Sequence, residues 1–241
     1  MEQEQWNEYV NKVATCQWPV PTGMISDMND WRCRSIVGRM LLVLDDIEGA
    51  MEVLSTVIKE KPDEENVPEY GFSDVEHMVL CLRDVAEIVW KLTHTSHAPL
   101  IYLDRAYRYC RRFKYPFHGV ARGDIWCRRL EIMRESEQGD KAEQEAREML
   151  EAEKDNGGVN PYRYFAGKFL AENAAAAGNF HEAAELLAEA LQHYPLNEQG
   201  KADIAVAAAE QEDEARYKKY LACTKIKYAP WEELPQVVLK R

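Results

Sequence analysis

The sequence of 241 residues lacks long apolar runs, paired cysteines and strand-like segments, and each absence excludes a class of protein. The longest strongly apolar runs, such as the one that starts at Met40, are far too short to span a bilayer. The six cysteines form no CxxC pair, the spacing typical of many zinc and redox sites. Short segments rich in β-branched residues and flanked by hairpin turns are missing as well, so we predict no β-sheet.

The N-terminal region also lacks the features of a secretory signal. Acidic residues stand where a signal peptide would have a basic start followed by an apolar stretch. Several cysteines fall at apolar positions of predicted helices, where a free thiol behaves as a small hydrophobic group. We therefore expect a reduced, cytoplasmic protein without disulfides, without zinc and without a membrane partner.

The net charge of −12 argues against nonspecific binding of nucleic acid by the whole molecule. The charge is unevenly distributed, however. Residues 100–134 contain nine basic residues and three acidic ones, whereas residues 135–214 contain nineteen acidic and six basic ones. A basic segment in the middle of an acidic chain is therefore a candidate for recognition of an acidic group.

Helical periodicity dominates the chain. In residues 31–60 the apolar residues recur at steps of three and four, which is the stripe of an amphipathic helix. The stripe is interrupted at Asp45 and Asp46, restarts at Ile47 and ends before Pro62, where a helix cannot continue. Two helices joined by a tight turn form an antiparallel pair.

The same pattern returns in the same phase in residues 164–197. There a turn at Gly178 and Asn179 is followed by an aromatic residue, spaced small residues and a terminating proline. The matching positions of the second segment are Leu170, Ala171, Gly178, Asn179, Phe180, Ala183, Leu187, Ala190 and Pro195, and those of the first are Val37, Gly38, Leu41, Ala50, Leu54 and Pro62. This pattern resembles the tetratricopeptide repeat (TPR), a helix pair of about 34 residues.

The resemblance implies an all-α fold, a right-handed α–α superhelix or TPR-like solenoid of about five helix pairs plus terminal helices. We expect one domain over residues 1–241, with clear repeats at 31–64 and 164–197. Periodicity alone predicts degenerate repeats at 74–113, 123–155 and 198–225, including helices over 74–93, capped by Ser73, and over 123–136.

In the TPR family the first helices of successive repeats line a concave groove that usually holds an extended peptide. Carried over to this sequence, that surface includes Arg39 of the first motif and Phe165 and Lys168 of the second. Family members that bind chaperone tails hold a terminal carboxylate with a Lys and an Asn one helical turn apart. Here Lys168 is followed one turn later by Glu172, so that clamp is not recognisable.

A second candidate site is the stretch in which arginines alternate with aromatic residues. Arginine suits carboxylate or phosphate recognition because its planar guanidinium forms paired hydrogen bonds, and tyrosine can anchor a peptide or stack on a base. The candidate binding residues of this stretch are Tyr102, Arg105, Arg108, Tyr109, Arg111 and Arg112. Three readings stay open: pairing with the acidic C-terminal helices or an acidic partner subunit, binding of an acidic peptide or protein, and, disfavoured by the overall charge, binding of nucleic acid.

Signatures of catalysis are lacking. The sequence contains no nucleophile elbow, no Ser/His/Asp signature and no glycine loop for phosphate, so we assign no catalytic residue and no cofactor. His94 and His97 lie three residues apart, but further ligands at a suitable spacing are not evident, and we assign no metal.

These patterns favour a non-catalytic scaffold that binds a protein or peptide, with acidic chemistry suggested by the arginines. One alternative is a regulatory peptide sensor that acts with a separate partner regulator, and another is an enzyme built on a helical scaffold. Self-association through an end repeat stays open, because terminal repeats expose an incomplete interface.

Overall fold

The computed structural model describes residues 1–60, 72–112, 116–152, 160–194, 196 and 198–224, with side chains for all of these except 72, 73, 76, 110–112 and 116–122. The described residues form eleven α-helices and one short 3-10 turn, Thr22–Met24, and none of them forms a β-strand. The predicted all-α class is therefore confirmed for this part of the chain.

The chain divides into two compact units, residues 1–114 and 115–241. Whether they belong to one domain, as the sequence predicts, stays a prediction. The helices of the first unit are α1 Gln3–Ala14, α2 Trp31–Val43, α3 Ile47–Glu60, α4 Phe72–Thr93 and α5 His97–Arg112. Those of the second unit are α6 Pro116–Glu135, α7 Gly139–Ala152, α8 Pro161–Ala176, α9 Phe180–Gln192, α10 Glu198–Ala208 and α11 Asp213–Cys223.

Neighbouring helices pack as the predicted pairs: α2 with α3 and α4 with α5 in the first unit, and α6 with α7, α8 with α9 and α10 with α11 in the second. Two predicted helix starts are wrong. α4 begins at Phe72, so Ser73 lies in its first turn and not before it. α6 begins at Pro116, seven residues before the predicted start at Gly123, because proline suits the first position of a helix.

In three of the pairs, the same kind of turn joins the first helix to the second. The residue in the turn has a positive φ, and the N–H of the residue after it donates to the carbonyl five residues earlier, which is the Schellman geometry. The turn residues are Asp45 (φ 61°), Glu137 (φ 66°) and Gly178 (φ 80°), and the bonds are Asp46 to Leu41, Gln138 to Met133 and Asn179 to Ala174, each 2.9 Å. The recurrence places residues 137–138 in register with the two clear motifs, although the sequence there contains no glycine at the turn residue.

Small residues lie where paired helices approach most closely. A Cβ added to Gly38 of α2 would lie 2.7 Å from the side chain of Leu54 on α3, which is fully buried. In the later motif the predicted small positions Ala171, Ala183 and Ala190 are all buried in one cluster. This packing agrees with the need for small residues at these positions.

The N-terminal helix α1 covers the first pair. Trp6 is fully buried, and its indole N–H donates to the carbonyl of Ser26 over 3.0 Å. On the other side, the Tyr9 hydroxyl donates to Glu52 of α3 over 2.8 Å. One of the expected terminal helices is thus present and packed.

Candidate functional site

A row of polar contacts joins α2 to α4 in the first unit. Arg32 contacts Asp74, Ser35 contacts His77, and Arg39 contacts Asp84. Because residue numbers rise in the same direction on both helices, α2 and α4 run parallel, side by side. We call the surface that carries these residues, together with Arg83, the α2–α4 face.

The start of the row is an ion pair with two hydrogen bonds. Nε and Nη2 of Arg32 donate to the two carboxylate oxygens of Asp74, over 2.5 and 2.9 Å. Such paired bonds fix the plane of the guanidinium. The same guanidinium lies 5.3 Å from the centre of the Trp31 ring and 3.7 Å from the carboxylate of Asp30, which caps α2.

The middle of the row is uncharged, with Ser35 and Cys81 fully buried and His77 half-buried. Ser35 Oγ lies 3.1 Å from His77 Nδ1, and the Cys81 thiol donates to the same hydroxyl over 3.1 Å. Burial, and next to it the positive charge of Arg39, lower the pKa of His77 from 6.5 to about 4. Burial also raises the pKa of Cys81 to about 12. At neutral pH the imidazole and the thiol are therefore both uncharged.

The pairing of a serine hydroxyl with an imidazole has the chemistry of a nucleophile and its base. Ser35, however, is fully buried between the two helices, and its hydroxyl also accepts from the buried Cys81. A substrate carbonyl has no route to that oxygen in this arrangement. The contact therefore serves to join α2 to α4.

At the end of the row, two arginines donate hydrogen bonds to one carboxylate. Nε of Arg39 donates to Asp84 over 3.1 Å, while Nε and Nη2 of Arg83 donate to its other oxygen over 3.1 and 3.0 Å. The side chains of Arg39 and Arg83 are 28% and 33% exposed, whereas that of Asp84 is 9% exposed. The carboxylate is thus further from solvent than the two guanidinium groups, and a ligand from solution would contact the guanidinium groups first.

The structure places the predicted residues of α5 in different environments. Tyr109 is fully buried, and the guanidinium carbon of Arg105 lies 6.0 Å from its ring centre. Tyr102 is half-buried and Arg108 is exposed. The side chains of Arg111 and Arg112 lie outside the described part of the chain. The binding role of this group stays a prediction, with Tyr109 placed in the core.

In the second unit α6 and α8 also lie side by side. A Cβ on Gly123 of α6 would lie 2.6 Å from the ring of Phe165, so this predicted binding residue packs against α6. Further along, Arg134 Nη1 donates to Asn173 over 2.9 Å. The numbers again rise together, so these two helices are parallel as well. Lys168 is partly exposed, with its Nζ 3.6 Å from Glu172.

Two arginines of the basic segment, both outside the stretch of candidate binding residues, pair with acidic residues of the same unit. Arg129 pairs with Glu145 of α7, and Arg134 lies 3.7 Å from Glu172 of α8. For these two arginines charge pairing is an observed role.

The second unit also contains a small depression between α7, α8 and α9. It is lined by Leu150, Arg163, Gly167, Leu186, Glu189, Ala190 and His193, and it has no internal space for a water molecule. It is therefore too shallow for a site that binds small molecules. Arg163 at its wall already pairs with Glu189 over 2.5 Å.

Over the described residues, His, Cys, Asp and Glu side chains are nowhere grouped in threes so that they could hold a metal ion. Nor is any described helix long and apolar enough to cross a membrane. The five cysteines with described side chains, Cys16, Cys33, Cys81, Cys127 and Cys223, are free thiols.

Of the residues on the α2–α4 face, the sequence predicts only Arg39 as a binding residue, and that role stays a prediction. The sequence does not predict the residues of α4 that contact α2. A signal for them does exist: Asp74, His77, Cys81 and Asp84 recur at steps of three, four and three along one stripe of α4. Polar residues on the stripe of a helix that faces the core indicate a polar contact with a neighbour.

A scan against models of known protein families finds no match, and a search of curated proteins finds no similar one.

Proposed function

We propose that the protein is a non-catalytic scaffold that binds a protein or an extended peptide across the first helices of its repeats. In this proposal the helix pairs stack as TPR-like repeats in a right-handed superhelix. The binding surface is the α2–α4 face of the first unit.

One observation carries the proposal. α2 and α4 lie parallel and are joined along their length by the contacts of Arg32, Ser35 and Arg39, which hold the surface side chains in defined positions. A surface that is already ordered loses little conformational freedom when a ligand binds. Side chains held in this way are therefore suited to recognition.

Two further observations support the repeat part of the proposal. The Schellman turns recur after α2, α6 and α8. Parallel contact between first helices recurs too, at α2 with α4 and at α6 with α8. Both are what stacked helix pairs of one kind require.

The test is a selection from a random peptide library on the immobilised full-length chain. The selected peptides are then synthesised with a fluorescent label, and their affinity is measured by anisotropy. Val43→Glu is the site variant, because Val43 lies on α2 one turn after Arg39 and is 60% exposed. Val206→Glu is the matched control, since this valine of α10 is 63% exposed and undergoes the same change.

We expect Val43→Glu to weaken binding by about tenfold or more and Val206→Glu to leave it unchanged, because a charge in the centre of an interface must be desolvated. Arg108→Glu on α5 examines the competing location. If only Arg108→Glu abolishes binding, the site is on α5 and not on the α2–α4 face. Failure to select any peptide that binds the folded chain would refute the scaffold proposal.

A further inference from the structure

We propose that the α2–α4 face recognises an anionic side chain of the bound peptide, a carboxylate or a phosphate, through Arg39, next to an apolar side chain of the same peptide at Val43. This inference rests on the proposed function and adds the chemistry of the ligand.

The first argument is the set of donors left on Arg39. Its Nε donates to Asp84, and among the described residues no other acceptor takes a hydrogen bond from this side chain. Both terminal nitrogens keep their N–H groups for a ligand. A guanidinium that presents two nitrogens binds a carboxylate or phosphate through paired, charge-assisted hydrogen bonds.

The second argument is that the positive charges are more exposed to solvent than the negative charges that they pair with. Asp74 and Asp84 are 8% and 7% exposed, while the arginines above them reach the surface. At the Arg39 end of the face, an approaching anion therefore meets the guanidinium of Arg39 before the carboxylate of Asp84. The buried carboxylates hold the arginines in place, so the cationic side chain does not have to be ordered by the ligand.

The third argument is the apolar neighbour. Val43 follows Arg39 by one helical turn on the same side of α2 and is largely exposed, and Leu92 is exposed near the corresponding end of α4. Four helical residues span about 6 Å along the axis. In an extended peptide, side chains on the same side are two residues and about 6.6 Å apart. The face therefore fits an anionic residue followed or preceded, two positions away, by an aliphatic one.

The experiment uses three fluorescein-labelled peptide pools with the same randomised flanks and with fixed leucines two positions before and two positions after the central residue. The central residue is glutamate, phosphoserine or glutamine. Each pool is titrated with the full chain and with Arg39→Gln. This variant is expected to fold, since Arg83 still donates two hydrogen bonds to Asp84. Arg147→Gln on α7 is the matched control, because this arginine also pairs with carboxylates of its own unit, Glu143 over 2.8 Å and Glu182 at 3.7 Å.

We expect the glutamate or the phosphoserine pool to bind about tenfold tighter than the glutamine pool, which is the scale of a charge-assisted hydrogen bond. Arg39→Gln should abolish that preference, and Arg147→Gln should retain it. The tighter of the two anionic pools identifies the anion.

Three results would overturn the inference. If the three pools bind equally, or if Arg39→Gln keeps the preference for the anion, Arg39 does not recognise an anionic side chain of the peptide. The proposed function would survive that result if the library peptides still bind and still respond to Val43→Glu. If none of the three pools binds, the inference falls as well, and the library selection decides separately whether the chain is a scaffold.

Discussion

The neutral histidine between α2 and α4 predicts how the stability of the protein depends on pH. The pKa of His77 falls from 6.5 to about 4 on folding, because folding removes much of the side chain from water and places it near Arg39. Other charges around it come from both helices: Asp74 on its own helix opposes the shift, and Arg32 adds to it. Protonation therefore favours the unfolded chain.

The sign and size follow from proton linkage. Below about pH 6.5 the unfolded chain binds a proton at this histidine, whereas the folded chain binds it only near pH 4. The stabilisation is thus complete above about pH 7 and is lost as the pH falls from about 6.5 to about 4. The full shift corresponds to about 3 kcal/mol of unfolding free energy, of which about 2 kcal/mol is lost at about pH 5.

The assay is urea unfolding followed by far-UV circular dichroism at about pH 7 and about pH 5, for the native chain and for His77→Gln. Glutamine stays neutral at both values, and its amide can still hydrogen-bond Ser35. We expect the native chain to lose about 2 kcal/mol more than the variant between the two pH values. Equal losses would show that His77 is already protonated in the folded state, and the description of the α2–α4 contact as neutral would then be wrong.

The remaining predictions concern the turns and the thiols. Gly178→Ala should destabilise the protein by about 1 kcal/mol, because a left-handed backbone costs a residue with a Cβ about 1–2 kcal/mol, partly offset by the lower entropy of the unfolded chain. Glu137→Gly should raise the free energy of unfolding by a few tenths to about 1 kcal/mol for the converse reason. Urea unfolding midpoints measure both changes. A Gly178→Ala variant that is more stable than the native chain would contradict the turn geometry. In the folded protein, iodoacetamide at about pH 8 should alkylate the half-buried Cys16 and spare Cys81, whose burial raises the pKa to about 12, as peptide mass spectrometry would show. Equally fast alkylation of Cys81 would mean that the contact between α2 and α4 opens readily.

Much of the secondary structure could be predicted because helix formation leaves a local record. The steps of three and four from Cys33 to Leu44 and from Ile47 to Ile58 correspond to α2 and α3, and the turn at Gly178 lies where glycine indicated it. The sequence locates the helix boundaries less accurately. Gly123 resembles the start of a helix in sequence, but in the fold it lies inside α6, where the contact with Phe165 outweighs the low helix propensity of glycine.

The candidate site could be predicted only in part. Family resemblance directed attention to Arg39 on the first helix of a repeat, and the structure places it on a partly exposed surface. The sequence does not reveal that Arg39 donates to the buried Asp84, since the two residues are 45 positions apart in the chain. Tyr109 illustrates the reverse: a tyrosine among arginines reads as a surface anchor, yet it is fully buried. Exposure depends on which neighbour covers a helix, and local periodicity does not identify that neighbour.

The sequence by itself determined the all-helical class, the pairing of consecutive helices and the small residues at their contacts, because each depends on residues close together in the chain. Only the tertiary structure decided that α2 and α4 lie parallel, that Ser35 and His77 meet between them, and that the arginines stand above buried carboxylates. The physical reason is that burial, pKa and charge exposure are set by atoms that approach through space. Two helices separated by a third bring together side chains that no local pattern relates.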